Sequence, residues 1–206
     1  MSACCENQPV FTGDDPAFRR VLWTVISINF SMFVIELGAG LHAGSQALQA
    51  DALDFLGDSA TYGLSLWVIN KPAHWRAKAA IFKGISLAVL AMWVLGSTLW
   101  RVFVSGVPEA AVMGAIGFLA LAANIVCLLI LMKYREGDAN VRSIWLCSRN
   151  DVIGNIAVVL AASGVFALDS AWPDLFAAFA MASLFLWSSA KIIGQALSEK
   201  RAHTAG

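Results

Sequence analysis

Three carboxylates stand inside an apolar run, Ala50-Asp51-Ala52-Leu53-Asp54-Phe55-Leu56-Gly57-Asp58. At about 100° per residue, Asp54 and Asp58 lie one helical turn apart and Asp51 falls within about 20° of Asp58, so one stripe of one helix carries all three. That stripe cannot face lipid. A carboxylate at bilayer depth costs on the order of 3 kcal/mol even on lenient insertion scales, and such groups line a pathway or a buried ion site. The remainder of the chain has to enclose them.

Composition agrees with a membrane setting. Hydrophobic residues make up 59% of the 206 and charged residues only 14%, where an ordinary soluble domain has about a quarter charged. The formal charge is zero and the charges cluster between apolar runs, so nothing points to nucleic acid as a partner. Residues 1–20 lack the apolar core of a cleaved signal and read as a flexible cytoplasmic arm ending at Arg19-Arg20. Cys4 and Cys5 are adjacent, and Cys127 and Cys147 fall at membrane depth, a pattern unlike a secreted disulfide framework.

Six apolar runs follow, at about 21–43, 47–70, 83–101, 110–132, 143–167 and 173–192. The fourth is free of charge from Ala110 to Met132 and at about 1.5 Å per residue easily crosses a hydrocarbon core about 30 Å thick. The expected fold is all-α, a six-helix transmembrane domain over residues 21–192 with a short tail at 193–206. Of the 14 Lys and Arg, 12 fall on the side of the N-terminus (Arg19, Arg20, Lys71, Arg76, Lys78, Lys83, Lys133, Arg135, Arg142, Lys191, Lys200, Arg201), Arg149 lies within the fifth run and only Arg101 is near an opposite end. The positive-inside rule then sets both termini in the cytoplasm, and a bacterial inner membrane is the expected location. The Lys71-to-Arg76 linker is read as part of that signal.

Spans one, two and five carry intramembrane ionisable groups, whereas three, four and six are nearly bare, so a site is expected where the first set converges. Cys147 and Asp151 are again four residues apart on one face of the fifth span. With Asp54 and Asp58 they supply four donors, a number that suits a tetrahedral divalent cation. A thiolate among carboxylates favours Zn²⁺ or Cd²⁺ over Mg²⁺, with Co²⁺, Mn²⁺ and Fe²⁺ ranked lower. No catalytic cofactor is implied, and the chain is not expected to be an enzyme.

Coupling follows from the same donors. Carboxylates crowded in a low dielectric hold protons when no cation neutralises them, so an arriving metal has to displace protons. Protons re-entering from outside can then drive metal outward by alternating access.

These residues resemble the cation diffusion facilitators, six-helix metal–proton antiporters. The likeness is carried by Asn29, Glu36, Gly40, Ser45 and Ala47-Leu48, the stretch from Ala50 to Asp58, Asn124, and Asp151-Val152-Ile153-Gly154-Asn155. In that family the transport site is a His or Asp followed four residues later by Asp on the second helix, and the pair His and Asp at the same spacing on the fifth. Asp54, Asp58 and Asp151 match; Cys147 stands where His is usual. The resemblance implies a transported divalent metal and protons as partners. With a short tail after Gln195, the family's ferredoxin-like cytoplasmic domain is expected to be absent and a homodimer is expected through the membrane helices. His42, His74 and His203 are scattered and form no His-rich loop.

Asp51, Glu36, Asn29 and Asn155 are accessory candidates. Asp51 is expected to cap its helix or stand at the mouth, and Glu36 and Asn29 serve either the ion path or helix adhesion. Arg149 is offset by about 200° from Cys147 and Asp151, so it either pairs with Asp51 or Glu36 or snorkels to the interface. Cys4, Cys5 and Glu6 offer a soft-metal capture point at the cytoplasmic entrance. Two other classes compete with the antiporter: a thiol-based membrane redox enzyme using Cys127 and Cys147, and a passive cation channel using the aspartate stripe.

Overall fold

The computed structural model describes residues 16–68, 73–104, 106–135 and 139–204. Those residues form six long helices: α1 (Pro16–Ala43), α2 (Gln46–Val68), α3 (Ala73–Phe103), α4 (Ala110–Leu131), α5 (Ala139–Leu168) and α6 (Trp172–Thr204), with a short 3₁₀ turn at Met132–Tyr134. No strand occurs among the described residues. The protein is an integral, multi-pass membrane protein. Five helices are long and apolar enough to cross a bilayer by themselves, and α2 misses that standard because Asp51, Asp54 and Asp58 sit in its first half.

Several helix ends differ from those read along the chain. α1 starts at Pro16, inside the stretch assigned to a flexible arm; proline at a first helical position loses no hydrogen bond and has its φ preset. α3 starts at Ala73 and α6 runs to Thr204 through the stretch read as a tail. Hydropathy stops at the edge of the hydrocarbon, whereas a helix rich in Ala, Lys, Arg and Glu does not have to. Residues 1–15, with Cys4, Cys5 and Glu6, and the Lys71-Pro72 linker lie outside the described residues.

α1 packs chiefly on α2, α4 on α5 and α3 on α6; α1 also meets α4, and α2 meets α5. Four helices therefore enclose the polar stripe, with the α3–α6 pair alongside. Two apolar clusters close this bundle. One joins Leu48 and Leu53 of α2 to Met113, Val158, Val165 and Met181, and the other joins Phe18, Leu22 and Val25 of α1 to Tyr62, Leu66, Cys127 and Tyr134. Along α2, Asp54 and Asp58 fall between the two. Large apolar side chains such as Phe30, Trp93, Phe118, Phe166 and Phe176 are exposed on the outside, as a lipid-facing surface requires.

The α1–α2 turn is two residues long. Gly44 adopts φ 67°, the left-handed conformation that lets the Ser45 N–H reach back to the Gly40 carbonyl at 2.9 Å and close α1 with a Schellman motif. Ser45 then caps α2, its Oγ accepting from the Leu48 N–H at 3.0 Å. Gly40 allows close approach of α1 and α2, since a Cβ there would lie 3.1 Å from Gln49 and Leu48.

Candidate metal centre

Asp54 and Asp58 project from successive turns of α2 toward α5, which presents Asp151. One carboxylate oxygen from each of the three lies within 4.8 Å of the others, and all three residues are half-buried. Like charges gathered this closely repel unless a cation or protons intervene. The spacing of four on α2 supplies two of these groups by helical geometry, and the packing of α2 on α5 supplies the third.

The carboxylates are also held from behind. The Tyr62 hydroxyl, on a fully buried side chain one turn further along α2, donates to Asp58 Oδ2 at 2.6 Å and lies 3.5 Å from the buried Ser148 Oγ of α5. Such a contact fixes the orientation of a carboxylate and tunes its basicity. Sequence reading missed both residues, although Tyr62 stands four positions after Asp58 on the same stripe and Ser148 three before Asp151.

The remaining candidates divide. Cys147 belongs to α5 one turn before Asp151, but its side chain lies outside the described residues. Glu36 of α1 reaches toward Asp51 and, beyond it, Asp54. Glu36 is fully buried and Asp51 1% exposed. Asp51 is therefore neither a helix cap nor a mouth residue, because the α2 N-terminus is held instead by Ser45 and by Asp174 of α6. Asp174 Oδ1 accepts from Ser45 Oγ at 2.6 Å and from Ala47 N–H at 3.0 Å, and its Oδ2 accepts from Gln46 N–H at 2.8 Å. Nothing local in the sequence pointed to Asp174, whose partners are more than 120 residues away.

Asn155 donates from Nδ2 to the Asp151 carbonyl at 3.0 Å, one turn back along α5. Asn29 Nδ2 bonds the Val25 carbonyl at 2.8 Å and meets Cys127 Sγ of α4 at 3.8 Å, contacts of the helix-adhesion kind. Cys127 itself is fully buried in the apolar cluster around Phe18 and Leu22. Arg149 is exposed and stacks over the Trp145 ring at 5.7 Å, so it pairs with neither Glu36 nor Asp51.

A family model described as the cation efflux transmembrane domain matches residues 22–199. The chain is 27% identical over 184 residues to the cadmium, cobalt and zinc/H(+)-K(+) antiporter of Bacillus velezensis, covering 80% of this chain and 58% of that protein. It is 29% identical over 179 residues to the zinc transporter ZitB of Yersinia pestis, covering 81% and 56%. It is 28% identical over 162 residues to the human proton-coupled zinc antiporter SLC30A8, covering 68% and 44%. The chain thus spans about half the length of these curated relatives.

Proposed function

The chain belongs to the cation efflux family, and from that premise we propose that it exports a divalent metal ion across the membrane in exchange for protons. The convergence of Asp54, Asp58 and Asp151 within 4.8 Å carries this reading. Three half-buried oxygen donors between two apolar clusters make a site that a doubly charged ion neutralises and that protons neutralise in its absence. The two guests compete for the same oxygens, which is the requirement for obligatory exchange.

In this reading Asp54, Asp58 and Asp151 ligate the metal and Cys147 is the fourth ligand, one turn from Asp151 on the same face. A thiolate there favours Zn²⁺ or Cd²⁺ over harder ions. Tyr62 orients Asp58, so the pair on α2 is pre-set when the ion arrives. Support for zinc and cadmium also comes from the names of the relatives, which transport zinc, cadmium or cobalt. Alternating access requires α2 and α5 to part on one side at a time, and the half-buried carboxylates beside a fully buried layer at Glu36 and Asp51 suit a state closed on the Glu36 side.

Inverted vesicles test the coupling. Zinc or cadmium uptake should rise several-fold when the interior is acid, and metal entry should alkalinise that interior. Uptake indifferent to the pH gradient, or accumulation that never exceeds the outside concentration, would favour the passive channel and end the antiport proposal.

A further inference from the structure

On the side of the carboxylate triad nearer the α1–α2 turn, a second group of oxygens has no task in the exchange just described. Glu36 and Asn155 are fully buried and Asp51 is 1% exposed. The Glu36 and Asp51 carboxyls lie within hydrogen-bond reach of each other, and no fixed donor among the described residues reaches Glu36 Oε1, Glu36 Oε2, Asp51 Oδ2 or Asn155 Oδ1. All four atoms are acceptors and three belong to carboxyl groups. A buried acceptor left without a donor costs about 1–3 kcal/mol, more when ionised. Acceptors of one polarity, carried on three helices and lacking fixed donors, are groups that a cation can satisfy.

Their place relative to the triad is set by the helices. α2 and α5 cross the membrane in opposite directions, so the step back from Asp54 to Asp51 and the step forward from Asp151 to Asn155 both lead the same way, by about 5 Å each. Glu36 joins them from α1, one turn from Gly40, which lets α1 and α2 approach closely. Asp54 lies within electrostatic reach of Glu36.

We propose that Glu36, Asp51 and Asn155 form a second, all-oxygen cation site, where the divalent ion pauses after leaving Asp54, Asp58 and Asp151. This rests on the reading of that triad as the transport site. From Asp58 to the start of α2 the path runs about 18 Å, and buried oxygens along it shorten the step the ion takes between the triad and solvent when α2 and α5 part. An all-oxygen site holds a zinc or cadmium ion less firmly than one that includes a thiolate, so the ion moves on. Serial sites that bind without trapping are what conduction requires.

Cadmium NMR on the full chain in detergent tests this, because an all-oxygen cadmium resonates well apart from one with a sulfur ligand and titration counts the ions. Native protein should bind two cadmium ions per chain, giving two signals. Glu36→Gln should abolish the all-oxygen signal, keep the other and slow vesicle transport at least tenfold, whereas Asp58→Ala should abolish the other and keep the all-oxygen one. Should Glu36→Gln fail to elute as the native protein does, Asp51→Asn carries the same comparison. One bound ion in the native chain, unaffected by Glu36→Gln, overturns the second site while leaving the triad intact; that result would mean the buried pair simply shares a proton. Loss of both signals in Glu36→Gln overturns it too, by making Glu36 part of a single site. Selective displacement of the all-oxygen signal by potassium overturns the divalent assignment. A native chain that binds no cadmium overturns the transport-site reading first.

Discussion

At the α1–α2 turn each oxygen of the Asp174 carboxylate has a fixed donor, while a turn or two deeper the oxygens of Glu36 and one of Asp51 have none. Both layers are buried and both are acidic. They differ in what neutralises them: Asp174 is held by Ser45 and two backbone N–H groups at the positive end of α2, and Arg101 lies within electrostatic reach. The deeper carboxylates meet other carboxylates. A polar group satisfied by fixed donors clamps helices together, and one denied them is left for a guest that comes and goes.

Substitutions can break this contrast. The largest effect is expected at the triad: Asp58→Ala should slow metal uptake into vesicles by at least 100-fold while the protein elutes unchanged, since it removes a central carboxylate and also relieves crowding. Unaltered transport would remove the functional half of the comparison. Asp174→Ala should act oppositely, lowering stability by about 2 kcal/mol through the lost cap and the orphaned Ser45, Gln46 and Ala47 donors, with metal stoichiometry unchanged. Thermal unfolding followed by tryptophan fluorescence, beside a cadmium titration, reads both. The smallest effect belongs to Tyr62→Phe, which deletes the hydroxyl on Asp58 but keeps the ring in its cluster. Metal affinity should fall about tenfold in a chelator competition, with little change in the unfolding midpoint. A large loss of stability instead would make Tyr62 part of the clamp.

Much of this architecture was legible in the chain. The six apolar runs, the aspartate stripe on the second and the Asp151 face of the fifth all follow from periodicity and from the cost of charge in lipid. Helix ends were less legible, because hydropathy reports the hydrocarbon boundary and α3 and α6 continue past it. Asp51 was read as a cap or mouth residue because a carboxylate near a helix N-terminus is a frequent cap; that end is held instead by Ser45 and by Asp174 of α6, 129 residues from Ser45. Asn29 and Glu36 share one face of α1 and could not be separated by spacing; packing gave Asn29 to Cys127 and Glu36 to Asp51.

By itself, the sequence determined that this protein spans a membrane and that three aspartates on α2 must be enclosed, since both follow from local spacing and transfer energies. Only tertiary structure decided which oxygens receive donors and which do not. That outcome depends on which helices touch at a given depth, so no single span contains it.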